Sequence, residues 1–441
     1  MSLAPGPLDP PIAATSRRDL FARSFRALKN RNFRVFFVGE VISTVGSWMQ
    51  MLAQGWLVLE LTGSGQALGV TLALQTLPIL VIGAWGGVLA DRVDNRRLLA
   101  VTALLGMAQA IALGVMEATG NVTIHWIYFF AFVLGVVTAF DRPAMQAMNY
   151  ELAGPDDLPS AIGIASTINS GGRLLGPALA GILIATVGMA PVFFLNAVTF
   201  AAVIISVVLI RADEMFPRAT QVTRARLRDG LAYVWHQPTL RLTMVVMAVV
   251  GTFAYNFAII VPSMIRFEFH TSPVALGVVQ AVGGIGSVIG GLAAGSFYRP
   301  TTRVLGLVAA VFGACIALTA LAPGVALFAL LWLPLGISSA VFSTVDQTVL
   351  QRESAPEYQG RVMALFTIAW MGTTPIGGLI AGAIIDAWSA RAALGVGAAA
   401  TVLSGLVALA VSRRRSFAAA EEAAYAAAAD VGDDVAALNV G

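Results

Sequence analysis

The sequence is short of the residue types that build most metal, redox and nucleotide sites. Among its 441 residues there is one cysteine, Cys315, which excludes an internal disulfide or a C-x-x-C metal or redox pair. The three histidines are too far apart in sequence for a zinc or haem motif. Lys29 is the only lysine and Asn30 follows it, so a G-x-x-x-x-G-K-[ST] phosphate loop is excluded. We therefore expect no cofactor, no bound metal and no enzyme activity.

Charged residues are also scarce, at 12% of the chain, whereas soluble proteins have about 25%. Apolar residues make up 58%, and the mean hydropathy is +0.81. This composition excludes a water-soluble globular protein. The net charge is only +3, and the basic residues lie beside apolar runs, so we expect membrane lipid rather than nucleic acid as the surroundings.

Twelve apolar segments are long enough to cross the membrane, which takes about 20 helical residues. They fall into two sets of six. The first set is 35–58, 67–89, 98–117, 122–150, 160–187 and 190–210. The second set is 242–265, 274–297, 304–322, 325–350, 362–385 and 392–411. The sequence predicts an all-α integral membrane protein with twelve transmembrane helices in two pseudo-symmetric six-helix bundles.

The spacing of these segments predicts five regions. A short apolar periodicity between the two sets indicates an amphipathic helix lying on the membrane surface. The regions are an N-terminal segment 1–32, a first bundle 33–211, a linker with the amphipathic helix 212–240, a second bundle 241–412 and an alanine-rich tail 413–441.

The arginines predict how the chain is oriented. The termini and loops carry 23 basic residues on one side of the membrane, and only Arg266 and Arg391 on the other. Because such an excess faces the cytoplasm, we predict that both termini are cytoplasmic. The arginine- and alanine-rich composition favours a bacterial origin, and hence a multi-pass protein of the bacterial inner membrane.

Internal repetition supports two homologous halves. The residues Ala-Leu-Gly-Val at 67–70 recur at 275–278, at the start of spans two and eight. A second correspondence joins the ends of spans four and ten, where Phe140 and Glu151 match Phe342 and Glu353.

The loop after span two reads GVLADRVDNRR from Gly87 to Arg97. It resembles the G-x-L-a-D-R-x-G-R-[RK] signature of the major facilitator superfamily, at the position where that family has it. The family uses this loop to latch the cytoplasmic ends of the two halves together when the transporter faces outward. The resemblance implies a gating motif made of Gly87, Asp91, Arg92 and Arg96.

By the same resemblance, Asp91 would meet the start of span eleven near Gly360 and Arg361. The chain departs from the family pattern at Asp94, where glycine is usual, and at Asn95, where a basic residue is usual.

Span five contains GRLLGPALAG, which is similar to the G-x-x-x-G-P-x-x-G-G motif of exporters in the same superfamily. The alternative is generic packing of small residues four apart. The matching residues are Gly172, Gly176, Pro177 and Gly181.

Three further stretches resemble the macrolide-efflux and enterobactin-exporter branch. They are KNRNFRVF at 29–36, AFDRPA at 139–144 and LRDGLAYVWHQPTL at 227–240. The resemblance covers about residues 25–412. A mid-helix arginine that is usual in span four has no counterpart here, since Arg142 lies nearer the cytoplasm.

Charges inside the membrane are costly and need a partner or a wet cavity. The resemblance implies that spans one, four, seven and ten line a central cavity. We predict that Glu40 carries the proton and that Arg142 is its counter-charge. The alternative is a structural tether of Asp141 to Arg142, with Glu40 reaching to the membrane interface. The candidates for proton coupling are Glu40, Asp141, Arg142, Arg173 and Asp346.

Polar residues within the spans are candidates for the substrate path. The alternative for each is a hydrogen bond between helices or contact with lipid. The candidates are Gln50, Gln54, Gln146, Tyr255 and Asn256.

The sequence therefore predicts a secondary active transporter that exports small amphiphilic molecules, drug-like or siderophore-like, by proton antiport and alternating access. Its partners would be the substrate, protons and membrane lipids, and we expect it to function as a monomer. An importer and a passive channel are the alternatives within transport, and sodium coupling is the alternative to proton coupling. A membrane-embedded enzyme is disfavoured, because the clustered catalytic residues it needs are missing.

Overall fold

The structure, a computed structural model, describes residues 25–217, 227–295 and 300–438. Helices dominate these residues, and no β-strand occurs among them. The first six helices are α1 (Arg31–Thr62), α2 (Gly65–Arg92), α3 (Asn95–Ala118), α4 (124–153), α5 (155–187) and α6 (Ala190–Val208). The others are α7 (Leu227–His236), α8 (Pro238–Phe253), α9 (Phe257–Ser263), α10 (Pro273–Ala294), α11 (Thr302–Ala320), α12 (Val325–Glu353), α13 (Pro356–Ala387) and α14 (Ala390–Leu438).

Eleven helical segments in the described residues are long and apolar enough to cross a membrane. One of them, Ile124–Val187, has 64 residues and breaks at Gly154, so it crosses twice as α4 and α5. Gly154 adopts φ 75°, which favours glycine, and a Cβ there would lie 2.7 Å from the ring of Phe216. The predicted twelve spans are confirmed. The seventh is formed by α8 and α9, and a π-helical turn, Met264–Glu268, continues it.

The two sets of helices each pack into a bundle. In the first, α1 packs against α5 and α6, and α3 packs against α6. In the second, α11 packs against α14 and α10 against α12. Buried aromatic side chains fill both interiors, with Trp56 and Phe193 in the first bundle and Phe312, Phe328 and Phe342 in the second.

The linker between the bundles is helical where it is described. The predicted amphipathic helix is α7, whose Val234 is buried while Leu231 and Trp235 are exposed. Tyr233 of α7 stacks on Tyr358 of α13 at 4.2 Å between ring centroids, so α7 is held against the second bundle. Residues 218–226 of the linker and 1–24 of the N-terminal segment lie outside the described residues. The alanine-rich tail continues helix α14 to Leu438.

The two bundles meet along two seams, α2 with α13 and α5 with α10. In the first seam a Cβ on Gly69 would lie 2.5 Å from the carbonyl oxygen of Gly378. In the second, a Cβ on Gly277 would lie 2.7 Å from the carbonyl oxygen of Pro177. Gly69 and Gly277 are equivalent residues of the repeated Ala-Leu-Gly-Val sequence. The repeat therefore supplies the small residue that lets the backbones approach closely at each seam.

Both seams lie toward the same end of the molecule, which we call the Asp386 end. Here the start of α2 meets the end of α13, and Gly382 approaches the backbone of Gly65. We call the opposite end, where α2 finishes, the Asp91 end. Near it, a Cβ added to Gly87 of α2 or to Gly360 of α13 would meet no atom within 4 Å, so these glycines face open space.

Candidate functional site

A cavity of about 250 Å³ lies between the two bundles. Its wall includes side chains of α1 and α5 from the first bundle and of α9, α10, α12 and α13 from the second. The wall includes both aromatic and polar side chains. Among them are Trp48, Arg173, Tyr255, Gln280, Trp332 and Trp370.

Tyr255 reaches the cavity because the seventh span breaks between α8 and α9. Its hydroxyl donates a hydrogen bond to the carbonyl oxygen of Ser339 at 2.9 Å, and the Ser339 hydroxyl donates back at 3.2 Å. Its ring packs against Phe312 and against Trp370, at 5.4 and 4.8 Å between centroids. A break in a helix at a cavity is a common way for transporters to build binding sites. Tyr255, which the sequence predicts for the substrate path, lies on the cavity wall.

Arg173 on α5 is the charged residue on the cavity wall. Its guanidinium interacts electrostatically with Tyr255, and its side chain is exposed. It makes no hydrogen bond or ion pair with any residue that the structure describes. An arginine side chain keeps its charge in a protein, so Arg173 presents five donors and one positive charge to whatever enters.

The exporter-like motif of α5 explains how the wall is assembled. Gly172 and Gly176 pack against α1, where Cβ atoms would lie 2.5 Å from Thr44 and 2.5 Å from Trp48. Gly181 faces α10 across the seam, where a Cβ would lie 2.7 Å from the carbonyl oxygen of Pro273. The motif therefore places Trp48 beside Arg173 and also brings the two bundles together.

Glu40, Asp141 and Arg142 are neighbours, but not in the predicted pairing. The Glu40 carboxylate accepts a hydrogen bond from the Thr44 hydroxyl at 3.1 Å, and that of Asp141 accepts one from the Thr102 hydroxyl at 2.7 Å. Asp141 is close enough to interact electrostatically with both Glu40 and Arg142. A direct ion pair of Glu40 with Arg142 is not formed within the described ranges. Because Asp141 lies next to Arg142 in sequence, it is Asp141 that interacts with the arginine.

Asp346 is buried in α12, with 1% of its surface exposed. Neither carboxylate oxygen has a hydrogen-bond partner in the described part of the chain. We expected Asp346 to share the cavity, but it is not part of the wall; it lies close enough to Tyr255 to interact electrostatically.

Four of the five predicted substrate-path residues do not line this cavity. Gln50 is buried in a network between helices, where it donates to Gln109 Oε1 at 2.9 Å and accepts from Asn196 Nδ2 at 2.7 Å. Asn256 donates to the Thr252 carbonyl oxygen at 2.6 Å. Gln50 thus makes the hydrogen bonds between helices that were the alternative for it, whereas the bond of Asn256 is local, to the residue four positions earlier. The other two are Gln54, which is buried, and Gln146, which is exposed elsewhere on α4.

The gating loop lies between α2 and α3, and its two departures from the family pattern have structural roles. Asp94 caps α3: it accepts a hydrogen bond from the Arg96 backbone N–H at 3.0 Å and pairs with the Arg96 guanidinium at 2.8 Å. This pairing with Arg96 lowers the pKa of Asp94. Asn95 donates to the buried carboxylate of Glu151 at 2.7 Å. The loop is therefore fixed onto its own bundle.

The other motif residues lie at the Asp91 end, where Asp91 and Arg92 are exposed. The expected contact of Asp91 with the start of α13 stays a prediction, because it belongs to the outward-facing state. In the present structure Arg361 lies over the ring of Tyr358 at 5.1 Å.

Sequence reasoning missed Asp386, at the end of α13. Its carboxylate accepts hydrogen bonds from the Ser64 hydroxyl at 2.5 Å, the Gly65 N–H at 2.6 Å and the Gln66 N–H at 3.1 Å. It therefore satisfies the N-terminus of α2 from the other bundle. An acidic residue in the last turn of span eleven, opposite a serine that begins span two, was the available signal.

The comparisons with known proteins agree with this geometry. A family model described as transmembrane secretion effector, within the major facilitator superfamily, matches residues 22–436. The chain belongs to this family. It is a multi-pass membrane transporter and not an enzyme, as the sequence predicted.

Characterised relatives of the chain are efflux proteins. Macrolide efflux protein A of Streptococcus pyogenes is 24% identical over 362 residues, covering 80% of this chain and 89% of the relative. Multidrug efflux pump Tap of Mycolicibacterium fortuitum is 26% identical over 382 residues, covering 84% and 93%. The predicted efflux-type branch of the superfamily is confirmed.

Solved structures show the same fold. The nucleoside transporter NupG is 12% identical with a TM-score of 0.70, over 86% of this chain and 98% of that one. A bacterial homologue of the human lysosomal transporter Spinster is 14% identical with a TM-score of 0.67, over 86% and 94%. The predicted all-α architecture of this superfamily is confirmed.

Proposed function

We propose that this protein exports small amphiphilic molecules by proton antiport, through alternating access of its two bundles. The observation that carries the proposal is the cavity between the bundles, with both seams at the Asp386 end. A compartment closed at one end is what alternating access needs in one of its states. The efflux relatives support export, and no feature of the described residues favours import.

The distribution of arginines supports an orientation for this state. Arg92, Arg96 and Arg97 lie at the Asp91 end, whereas Arg266 and Arg391 lie at the Asp386 end. With the excess of positive charge in the cytoplasm, the Asp91 end and both termini are cytoplasmic. The state described is then one that opens inward, in the inner membrane of a bacterium.

The acidic groups near the cavity are the proposed proton carriers. Glu40 and Asp141 together bring two carboxyl groups against the one positive charge of Arg142. A proton on Glu40 would leave one negative and one positive charge, which balance. Asp346 is a second carrier, since an unpartnered buried carboxylate is costly and a proton removes its charge. Arg173 stays charged and acts on the substrate side of the exchange.

The two ends of α2 suggest how the bundles alternate. Asp386 at the end of α13 meets the N-terminus of α2 in this state. Asp91 at the end of α2 would meet the N-terminus of α13 in the other state, as the gating motif implies. Each carboxylate would thus stabilise one closed end.

A monomer in lipid is the proposed working form. Both bundles that line the cavity belong to the same chain. Large apolar side chains cover the outside of the bundles, among them Leu292 at 79% and Val208 at 73% exposed, and lipid chains would cover these.

Transport into inside-out vesicles tests this proposal. Under an imposed proton gradient we expect accumulation of at least one member of a panel of dyes, macrolides and siderophores, collapsed by a protonophore but not by a sodium ionophore. The Glu40→Gln variant should insert normally and lose proton-driven accumulation. Glu214→Gln is the matched control, because Glu214 lies on the surface in an ion pair with Arg211.

Full coupling in both Glu40→Gln and Asp346→Asn would contradict the proposed carriers. Accumulation that follows a sodium gradient alone would contradict proton coupling, and downhill flux without accumulation would indicate a channel.

A further inference from the structure

The charge on the cavity wall is of one sign. Arg173 contributes a positive charge, and the described wall includes no aspartate or glutamate. The intramembrane carboxyl groups bond elsewhere or lie behind the wall: Glu40 accepts from Thr44, Asp141 accepts from Thr102, and Asp346 is buried. A ligand in the cavity therefore meets a cation that no carboxylate in the described residues neutralises.

The Arg173 guanidinium has no counter-charge on the described cavity wall, so an anionic ligand would supply one. Its neighbour Tyr255 is engaged with Ser339 and offers a dipole, not a negative charge. The planar guanidinium fits a carboxylate, sulfonate or phosphate through two parallel hydrogen bonds. A cationic ligand would be repelled at the same place, so the wall both favours anions and rejects cations.

The rest of the wall suits an apolar body. Trp48, Trp332 and Trp370 supply aromatic rings to the wall, and Gln280 and Ser287 supply polar groups. The volume of about 250 Å³ is a little below the roughly 300–1,000 Å³ of drug-sized sites. It favours a ligand with one or two aromatic rings over a macrocycle.

Resting on the proposed transport function, we propose that the cavity selects small aromatic amphiphiles carrying an anionic group, with Arg173 as the residue that binds that group. Trp48 from the first bundle and Trp332 and Trp370 from the second hold the apolar body, so the ligand contacts both halves. Arg173 then determines specificity, and the efflux relatives need not share this preference.

Binding without any gradient tests the charge class separately from transport. The probes are 4-(1-naphthyl)butanoate, its carboxamide and 4-(1-naphthyl)butylamine, which share one aromatic body and differ in charge. Equilibrium dialysis of the detergent-purified full chain, with detergent on both sides, gives the dissociation constants. We expect the carboxylate to bind about tenfold more tightly than the amide, and the ammonium probe to bind most weakly.

Variants of Arg173 sharpen the result. Arg173→Gln should remove the preference for the carboxylate, whereas Arg173→Lys should retain part of it, because it keeps the charge and loses the planar fork. Arg303→Gln is the matched control: it removes an exposed arginine at the start of α11, away from the cavity, and should keep the full preference.

Binding of the three probes to the wild-type chain is enough to test the proposal, even if the Arg173 variants fail to fold. Equal binding of the three probes, or tighter binding of the amine, contradicts anion selection. An unchanged preference in a folded Arg173→Gln protein contradicts the role of Arg173. Selective binding of the carboxylate with no proton-driven accumulation would leave this inference standing and overturn the proposed transport mechanism. Equal proton-driven accumulation of a cationic dye by the wild type and by Arg173→Gln would support the proposed transport mechanism and overturn this inference.

Discussion

The two ends of the pair α2 and α13 are held in different ways. At the Asp386 end the contacts run between the bundles: Gly69 meets the backbone of Gly378, and Asp386 accepts hydrogen bonds from the first residues of α2. At the Asp91 end the bonds of the loop between α2 and α3 run within the first bundle, from Arg96 to Asp94 and from Asn95 to Glu151. The difference teaches that the Asp386 end is a closure between the bundles, whereas the described bonds of Asp94 and Asn95 stabilise the first bundle itself. Substitutions at the Asp386 end should change the balance of states, and substitutions of Asp94 or Asn95 should change stability.

The largest shift between conformational states is expected for Gly69→Ala. A Cβ would lie 2.5 Å from the Gly378 carbonyl oxygen, so α2 and α13 must separate. Overpacking of this kind costs about 1–3 kcal/mol, enough to shift the population about 5- to 150-fold away from closure at the Asp386 end. Spin labels at Leu61→Cys and Trp388→Cys, in a Cys315→Ser background, should report longer distances. Gly395→Ala is the control, since no atom lies within 4 Å of its new Cβ; the same distances in both variants would contradict closure at Gly69.

A smaller effect is expected for Asp386→Asn. The substitution keeps the size of the side chain and removes the negative charge from the N-terminus of α2, an interaction of up to about 1 kcal/mol for an exposed carboxylate. The label distances should broaden toward an open Asp386 end, with less change than for Gly69→Ala. The exposed carboxylate of Asp229 in α7 provides the control, Asp229→Asn. If both variants keep the wild-type distances, the carboxylate does not hold this end closed.

The smallest effect on the balance of conformational states is expected for Asp94→Ala, which removes the cap of α3. Losing a capping side chain costs about 1 kcal/mol, or roughly 2–4 °C in the unfolding temperature of a bundle of this size. The label distances at the Asp386 end should stay unchanged. Because Arg96 lowers the pKa of Asp94 in the folded state, its contribution is complete above the ordinary pKa of 3.8 and is lost as the pH falls through the lowered value. Thermal unfolding in detergent at pH 7 and at strongly acid pH measures the loss of stability and its dependence on pH. A shift in the distances, or a stability loss that persists in acid, would contradict this assignment.

Much of the architecture could be predicted because apolar length and turn chemistry are local. The twelve spans can be predicted from segment length. The break between α4 and α5 lies at Gly154, which is followed by a proline. Tyr255 is predicted for the path, and Arg173 stands out because a charge inside a span is rare. The repeated Ala-Leu-Gly-Val indicates duplication, and the structure adds that its glycine lies at each seam.

The remainder could not be predicted because side-chain partners depend on helix rotation. Gln50 is predicted to line the path, yet its face of α1 points toward Gln109 and Asn196. The predicted pairing of Glu40 with Arg142 rests only on their similar depth in the membrane. Depth does not show that Thr44 donates a hydrogen bond to Glu40 or that Thr102 donates one to Asp141. Asp386 escapes prediction because it lies at a span end, where a carboxylate is ordinary until the facing helix is known.

The hydrogen bonds joining Gln50, Gln109 and Asn196 have a consequence for how the first bundle can work. Amides neither gain nor lose protons over the physiological range, so this fastening of α1, α3 and α6 is indifferent to acidity. Glu40 on α1 can therefore change its charge while α1, α3 and α6 keep their relative positions. The first bundle can therefore move as a rigid body: protonation changes its charge but leaves the packing of these helices unchanged.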